Sequence, residues 1–250
     1  MTLIRRHPLV TFFALTYVIA WAFLPFGSFG AFAPLVAALV VVPVTQGVAG
    51  LRELGRRLVR WRVPWWCWAL AIAVPLAVHV LAAVLGDPSP LLVASWGDVL
   101  LVFLLRLVDP TDGALGEEPG WRGFALPGMQ ARLSPLAATA ILAVLITVWH
   151  LPLVLLAEGD RATTLIGMIV GTVGVTFWYS WLFDHTGGSV LLVVVAHAVE
   201  GAIQDDTVLY FTLWLALAVV LVVVDLKAWL GRAPTAATTD LSRARTGVLR

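Results

Sequence analysis

The chain has 250 residues, 60% of them hydrophobic and 12% charged, with a net charge of +1. A soluble domain is about 45–50% apolar and about 25% charged, so this chain lacks the polar surface to cover a water-soluble globule, and its apolar content excludes a disordered one. The near-zero net charge gives no basic field for nucleic acid, and the single cysteine, Cys67, excludes an internal disulfide and a Cys-rich metal site.

Mean hydropathy is +0.95. A bilayer span takes about 20 apolar residues, so the expected fold is all-α, a polytopic transmembrane helical bundle of about eight spans. In chain order the apolar segments are 9–27, 30–49, 64–86, 91–110, 135–157, 162–185, 189–203 and 207–230. Arg5 and Arg6 precede the first, as in a signal peptide. A second apolar run follows almost at once and no clear small-x-small cleavage site separates them, so the first segment reads as a retained anchor. Residues 1–232 then form one transmembrane domain, and 233–250 a polar, small-residue-rich tail expected to be disordered.

With the N-terminus in the cytoplasm, Arg5 and Arg6, the run Arg52, Arg56, Arg57, Arg60 and Arg62, then Arg106, Arg122 and Arg132, and finally Lys227, Arg232, Arg243, Arg245 and Arg250 all fall inside. Only Arg161 of the 16 Lys and Arg residues falls outside, where the turns carry Asp87, Glu158, Asp160, Asp205 and Asp206. This is the positive-inside pattern. It predicts both termini in the cytoplasm and a multi-pass protein of the cell inner membrane, with the lipid bilayer as a partner. Residues 51–63 place Leu51, Leu54, Leu58 and Trp61 at helical spacing between arginines, which suits an amphipathic surface helix or a plain solvated loop. Gly167, Gly171 and Gly174 in the sixth segment allow close helix approach. No internal repeat of the kind common in transporters is evident.

Polar groups inside apolar segments are costly and mark functional positions. Three clusters occur. Glu117 and Glu118 are followed by Arg122, so that Glu118 and Arg122 stand one helical turn apart and can pair. Adjacent carboxylates point to different faces of a helix, which leaves Glu117 free to face a cavity: a structural acid beside a reactive one. Pro119 is tolerated in a first turn. His150 lies in AVLITVWHLPLVLL, and His197 in LLVVVAHAVEGAIQDD with Glu200 and Gln204 on roughly the same face and Gly201 one turn on. Taken singly, a histidine in a span is most often a hydrogen-bonded packing residue, and a Glu-Glu-x-x-x-Arg string most often a solvated helix start. His79 and His185 read as such bland cases. The combination of two acids, one arginine and two intramembrane histidines points instead to a polar site.

The strings GEEPGWRGFALP, VWHLPL and TGGSVLLVVVAHA, in that order, resemble the type II CAAX prenyl endopeptidases and their bacterial relatives, the CPBP or Abi family, over roughly residues 30–205. The family's EExxxR, FxxxH and HxxxN motifs would fall at Glu117, Glu118 and Arg122, at His150, and at His197. Two departures occur: Ile146 stands in place of the second motif's Phe, and Gly201 in place of the third motif's Asn, in a chain with no Asn at all. The resemblance implies an intramembrane endopeptidase acting on a peptide or membrane-associated protein. Glu117 would be the general base, His150 would position the water, and His197 would donate to the carbonyl oxygen, with Glu118 and Arg122 as support. Glu200, Gln204 or a bound water could compensate for Gly201. A carboxylate taken out of water becomes a better base near neutrality. No cofactor is expected in this version. The rival version places zinc on His150, His197 and Glu117 or Glu118, although no HExxH string is present. Two further readings stand beside the enzyme: a non-catalytic immunity or scaffold protein of the same fold, motivated by Gly201, and a proton-coupled transporter using Glu117, His150 and Glu200.

Overall fold

The computed structural model describes residues 2–92, 95–157, 160–203, 205 and 207–231. The expected polar tail at 233–250, Gln204 and the external acids Glu158 and Asp206 lie outside the described residues. Among the described residues the elements are helical, with no strand. The main helices are α1 (Pro8–Trp21), α2 (Ala33–Leu58), α3 (Trp65–Leu85), α4 (Trp96–Val108), α5 (Gly113–Gly120), α6 (Pro135–His150), α7 (Arg161–His185), α8 (Val190–Glu200) and α9 (Val208–Val224).

Five stretches are long and apolar enough to cross a bilayer: Pro8–Phe26, Ala33–Leu58, Trp65–Leu85, Pro135–Leu156 and Arg161–His185. They coincide with five of the expected segments. The segments at 91–110, 189–203 and 207–230 form shorter helices, α4 of 13 residues, α8 of 11 and α9 of 17. At 1.5 Å per residue α8 reaches about 16 Å, roughly half of a hydrocarbon core. The protein is thus an all-helical membrane protein. Large apolar side chains such as Val84, Leu105, Val220 and Val223 are exposed on its outer faces, as a lipid-facing surface requires.

Local sequence sets the helix starts. Ser134, Asp160, Ser189 and Thr207 each accept a hydrogen bond from a backbone N–H in the first turn of the helix that follows, which satisfies a donor otherwise left unpaired. Gly187 and Gly188, at φ +63° and +86°, make the tight turn between α7 and α8, a region where a Cβ is penalised.

The apolar segment 30–49 and the amphipathic stretch after it are parts of one helix. Gly47 breaks the helical path inside α2, at φ 64° and ψ −159°, and the helix then resumes to Leu58. In the resumed turn Leu54 is buried while Arg52 and Arg56 are exposed, the amphipathic division expected for 51–63, but the helix ends at Leu58 and Trp61 lies beyond it, exposed, and not on the apolar face. Arg57 donates to Glu53 at 2.9 Å and to the carbonyl of Gly123 at 3.0 Å, tying this turn to the segment after α5.

Helix packing relies on missing side chains. A Cβ on Gly167 or Gly171 would meet the Phe211 ring, and one on Gly174 would lie 2.5 Å from the Trp214 backbone. These glycines let α7 and α9 approach closely, as read from the sequence. Helix α1 braces α6: the Tyr17 hydroxyl donates to Leu145 O at 2.6 Å, Trp21 Nε1 to Trp149 O at 3.0 Å, and Trp149 Nε1 to Thr16 O at 3.3 Å. Those bonds fix the end of α6 that carries His150.

Candidate active site

Helix α5 is short and deeply placed. Gly116 and Gly120 face the start of α2, where a Cβ on Gly120 would lie 2.6 Å from the carbonyl carbon of Pro34. The same helix therefore carries two buried carboxylates on its other faces: Glu117 is 6% exposed and Glu118 fully buried. Past Gly120 the chain widens into a π-helical stretch, Trp121–Ala125. Wide turns of this kind recur at functional sites.

Buried charge must be paired. Both Glu118 oxygens accept from Arg122 Nη1, at 3.1 and 3.0 Å, and Oε1 also accepts from His197 Nδ1 at 2.9 Å. Arg122 Nη2 donates to the carbonyl of Thr176 at 3.3 Å, and its guanidinium lies over the Tyr179 ring, 5.2 Å from the centroid. Tyr179 in turn stacks on His197. Glu118 is thus the node that joins α5 to α8, with α7 closing the network.

Glu117 is left for the cavity. Its Oε2 accepts from Trp121 Nε1 at 3.1 Å, while Oε1 stands 3.9 Å from His150 Nε2. His150 is oriented by its other nitrogen, which lies 3.0 Å from the carbonyl of Ile146, so Nδ1–H donates inside the helix and Nε2 faces the carboxylate. A cavity of about 250 Å³ is lined by Glu117, Glu118, Arg122, His150, His197 and Glu200, with Ile146, Met168, Val175 and Phe211 as apolar walls. Six polar residues spread over 84 positions of sequence therefore meet at one cavity, in three separate segments of the chain.

Residues 99–203 match the family model "Type II CAAX prenyl endopeptidase Rce1-like". This Rce1-like segment runs from within α4 to just past α8, and it holds the six polar residues named above as lining the cavity. The family is a family of membrane proteases. No curated protein matches the chain.

Gly201, at the end of α8, does not line the cavity but lies against another side chain. A Cβ there would be 2.6 Å from Cζ and 3.1 Å from Nη2 of Arg106. Arg106, counted from the sequence only as a cytoplasmic charge, therefore lies against the end of α8, beside the residues that line the cavity and not among them. Its neighbour in charge is Asp112, with Oδ2 3.3 Å from Nε. His79, read as a bland histidine, also reaches this cluster: its ring is buried, Nε2 donates to the carbonyl of Glu200 at 3.0 Å, and it stacks on Tyr210 at 4.6 Å. Tyr210 donates to Glu200 Oε1 at 2.7 Å. Glu200 is thereby held at the cavity's rim. His185 lies elsewhere, paired with Asp225 at 2.9 Å.

A zinc ion needs three or four ligand atoms converging at about 2.0–2.2 Å. Among the described residues no group of three His, Cys, Asp or Glu side chains is arranged to hold a metal ion. Glu118 accepts from His197 Nδ1 at 2.9 Å, which engages one ring nitrogen and leaves Nε2 open.

Proposed function

We propose that the protein is an intramembrane endopeptidase that hydrolyses a peptide bond with a water activated between Glu117 and His150. The observation that carries this reading is the Glu117 Oε1 to His150 Nε2 separation of 3.9 Å at a buried cavity, in a segment that matches a protease family. Glu117 takes a proton from the water, the oxygen attacks the carbonyl carbon, and the C–N bond breaks as the proton passes to the leaving amine. His150 accepts from the water at Nε2 and aims it. His197, protonated at both nitrogens, donates from Nε2 to the carbonyl oxygen as charge develops there. Glu118 and Arg122 hold His197 and α5 in place, and Glu200 lines the entry.

The reading takes eight membrane crossings, both termini in the cytoplasm and the bacterial inner membrane as location, on the arginine distribution. It takes catalysis by the carboxylate without a metal, on the Glu117–His150 spacing, which suits a shared water. The substrate is a peptide or the tail of a membrane-associated protein. Gly201 keeps a second reading in view, a non-catalytic immunity or scaffold protein of the same fold.

The deciding experiment is cleavage of a quenched fluorescent peptide library by purified protein in nanodiscs. Wild type should cleave, Glu117→Ala should not, and a chelator should leave the rate unchanged. Loss of activity on chelation with recovery on zinc would move the chemistry to a metal. A wild type that cleaves nothing would favour the non-catalytic protein.

A further inference from the structure

A carbonyl oxygen that gains charge in the transition state is best stabilised by more than one fixed donor. His197 supplies one. Gly201, one helical turn further along the same face of α8, has no side chain to supply another. The space beside it is filled from a different helix: the guanidinium of Arg106, on α4, lies where a Cβ on Gly201 would project, 2.6 Å from Cζ and 3.1 Å from Nη2. Any larger residue at 201 would displace it, so a glycine at one position and an arginine at the other fit together.

The placement is not that of a solvated surface arginine. The Arg106 side chain is 19% exposed, and Asp112 Oδ2 stands 3.3 Å from its Nε as an ion pair, while Nε is buried and makes no hydrogen bond. Asp112 also caps α5, its Oδ1 accepting from Gly113 N at 2.5 Å. Gly113 is the floor between the two reactive groups: a Cβ there would lie 3.1 Å from Glu117 Oε1 and 3.3 Å from His197 Nε2. One aspartate thus anchors the guanidinium beside the residue on which Glu117 and His197 converge. Beyond Nε, the planar fork carries the Nη1 and Nη2 donors, and among the described residues these have no carboxylate partner of their own.

We propose that Arg106 donates to the carbonyl oxygen of the substrate alongside His197, as a catalytic residue of the site. The inference rests on the endopeptidase reading. Its signature is a swap: removing Arg106 opens the space that an amide side chain at position 201 needs.

The test uses the full chain in nanodiscs and the library peptide cleaved fastest. Arg106→Ala should lower kcat roughly 10²–10³-fold, the loss typical of one such donor, with KM changed by less than about threefold. Arg106→Ala combined with Gly201→Asn should recover at least about tenfold over Arg106→Ala. Arg106→Lys, which keeps the charge against Asp112 but lacks the planar fork, should fall between and serves if Arg106→Ala does not fold. Activity of Arg106→Ala within about threefold of wild type, or a double variant no better than the single, overturns the proposal. If wild type cleaves no peptide, the endopeptidase reading fails, and binding decides Arg106 separately. A panel of apolar tripeptidyl phosphonates, tetrahedral and anionic at phosphorus, should raise the melting temperature of wild type and not of Arg106→Ala. Equal shifts in both, or no shift in wild type, overturn the donor role.

Discussion

His150 Nε2 stands 3.9 Å from Glu117 Oε1, too far for a direct hydrogen bond and well suited to a shared water. Two bonds of about 2.8 Å enclosing an angle of roughly 90° span that gap. Replacing Glu117 by Gln keeps the shape and an acceptor for Trp121 but removes the base. We expect kcat to fall about 10²–10⁴-fold with an unchanged melting temperature, measured on the same preparation. A variant that keeps a tenth of the wild-type rate would show that the base lies elsewhere.

Glu118 should matter more for folding than Glu117. Its loss leaves Arg122, which is 2% exposed, as a buried charge without its carboxylate, at a cost of roughly 3–5 kcal/mol. Glu118→Ala should therefore lower the melting temperature sharply or prevent recovery of folded protein. Glu118→Leu combined with Arg122→Met, which removes both charges, should regain part of that stability while staying inactive. Thermal unfolding in one detergent compares the two directly.

The contact between α5 and α2 should tolerate no added methyl group. Gly120→Ala places a carbon 2.6 Å from the Pro34 backbone, and forced contacts of this kind cost about 1–3 kcal/mol. Gly55→Ala is the control: in the same α2 helix, its Cβ meets nothing within 4 Å, and Ala is the better helix former by about 1 kcal/mol. Melting should shift down for the first and level or up for the second. The same order in activity would show that the packing of α5 sets the position of the two glutamates.

Gly47 isolates a backbone effect. It has open space around its Cβ position but sits at φ +64° and ψ −159°, a region essentially confined to glycine, where an L-residue costs roughly 1–3 kcal/mol. Gly47→Ala should therefore destabilise although it clashes with nothing. An unchanged melting temperature would mean that α2 can straighten through this point.

The sequence made the local half of the site legible. Glu118 and Arg122 are one turn apart, so helical geometry alone pairs them, and Glu117 on the adjacent face is then the acid left over. His150 and His197 stood out because a bilayer span rarely carries an ionisable group. What pairs with what across the chain was not legible: the bond from His197 to Glu118 joins residues 79 positions apart. Arg106 and His79 were passed over for a physical reason. An arginine at the end of an apolar segment looks like an orientation signal, and a lone histidine looks like packing; only the closure of α4 and α3 onto α8 brings them to Gly201 and Glu200. At Ala33–Leu58, one helix with a glycine break produces the same hydropathy trace as a span followed by a separate surface helix.

The lining of the cavity sets a condition on any peptide that would be cut there. Glu117, His150 and His197 share it with Ile146, Met168, Val175 and Phe211, so a chain that reaches the carboxylate also meets apolar walls. Under the endopeptidase reading, apolar side chains flanking the scissile bond would be retained, and charged ones would be turned away by the cost of drying them.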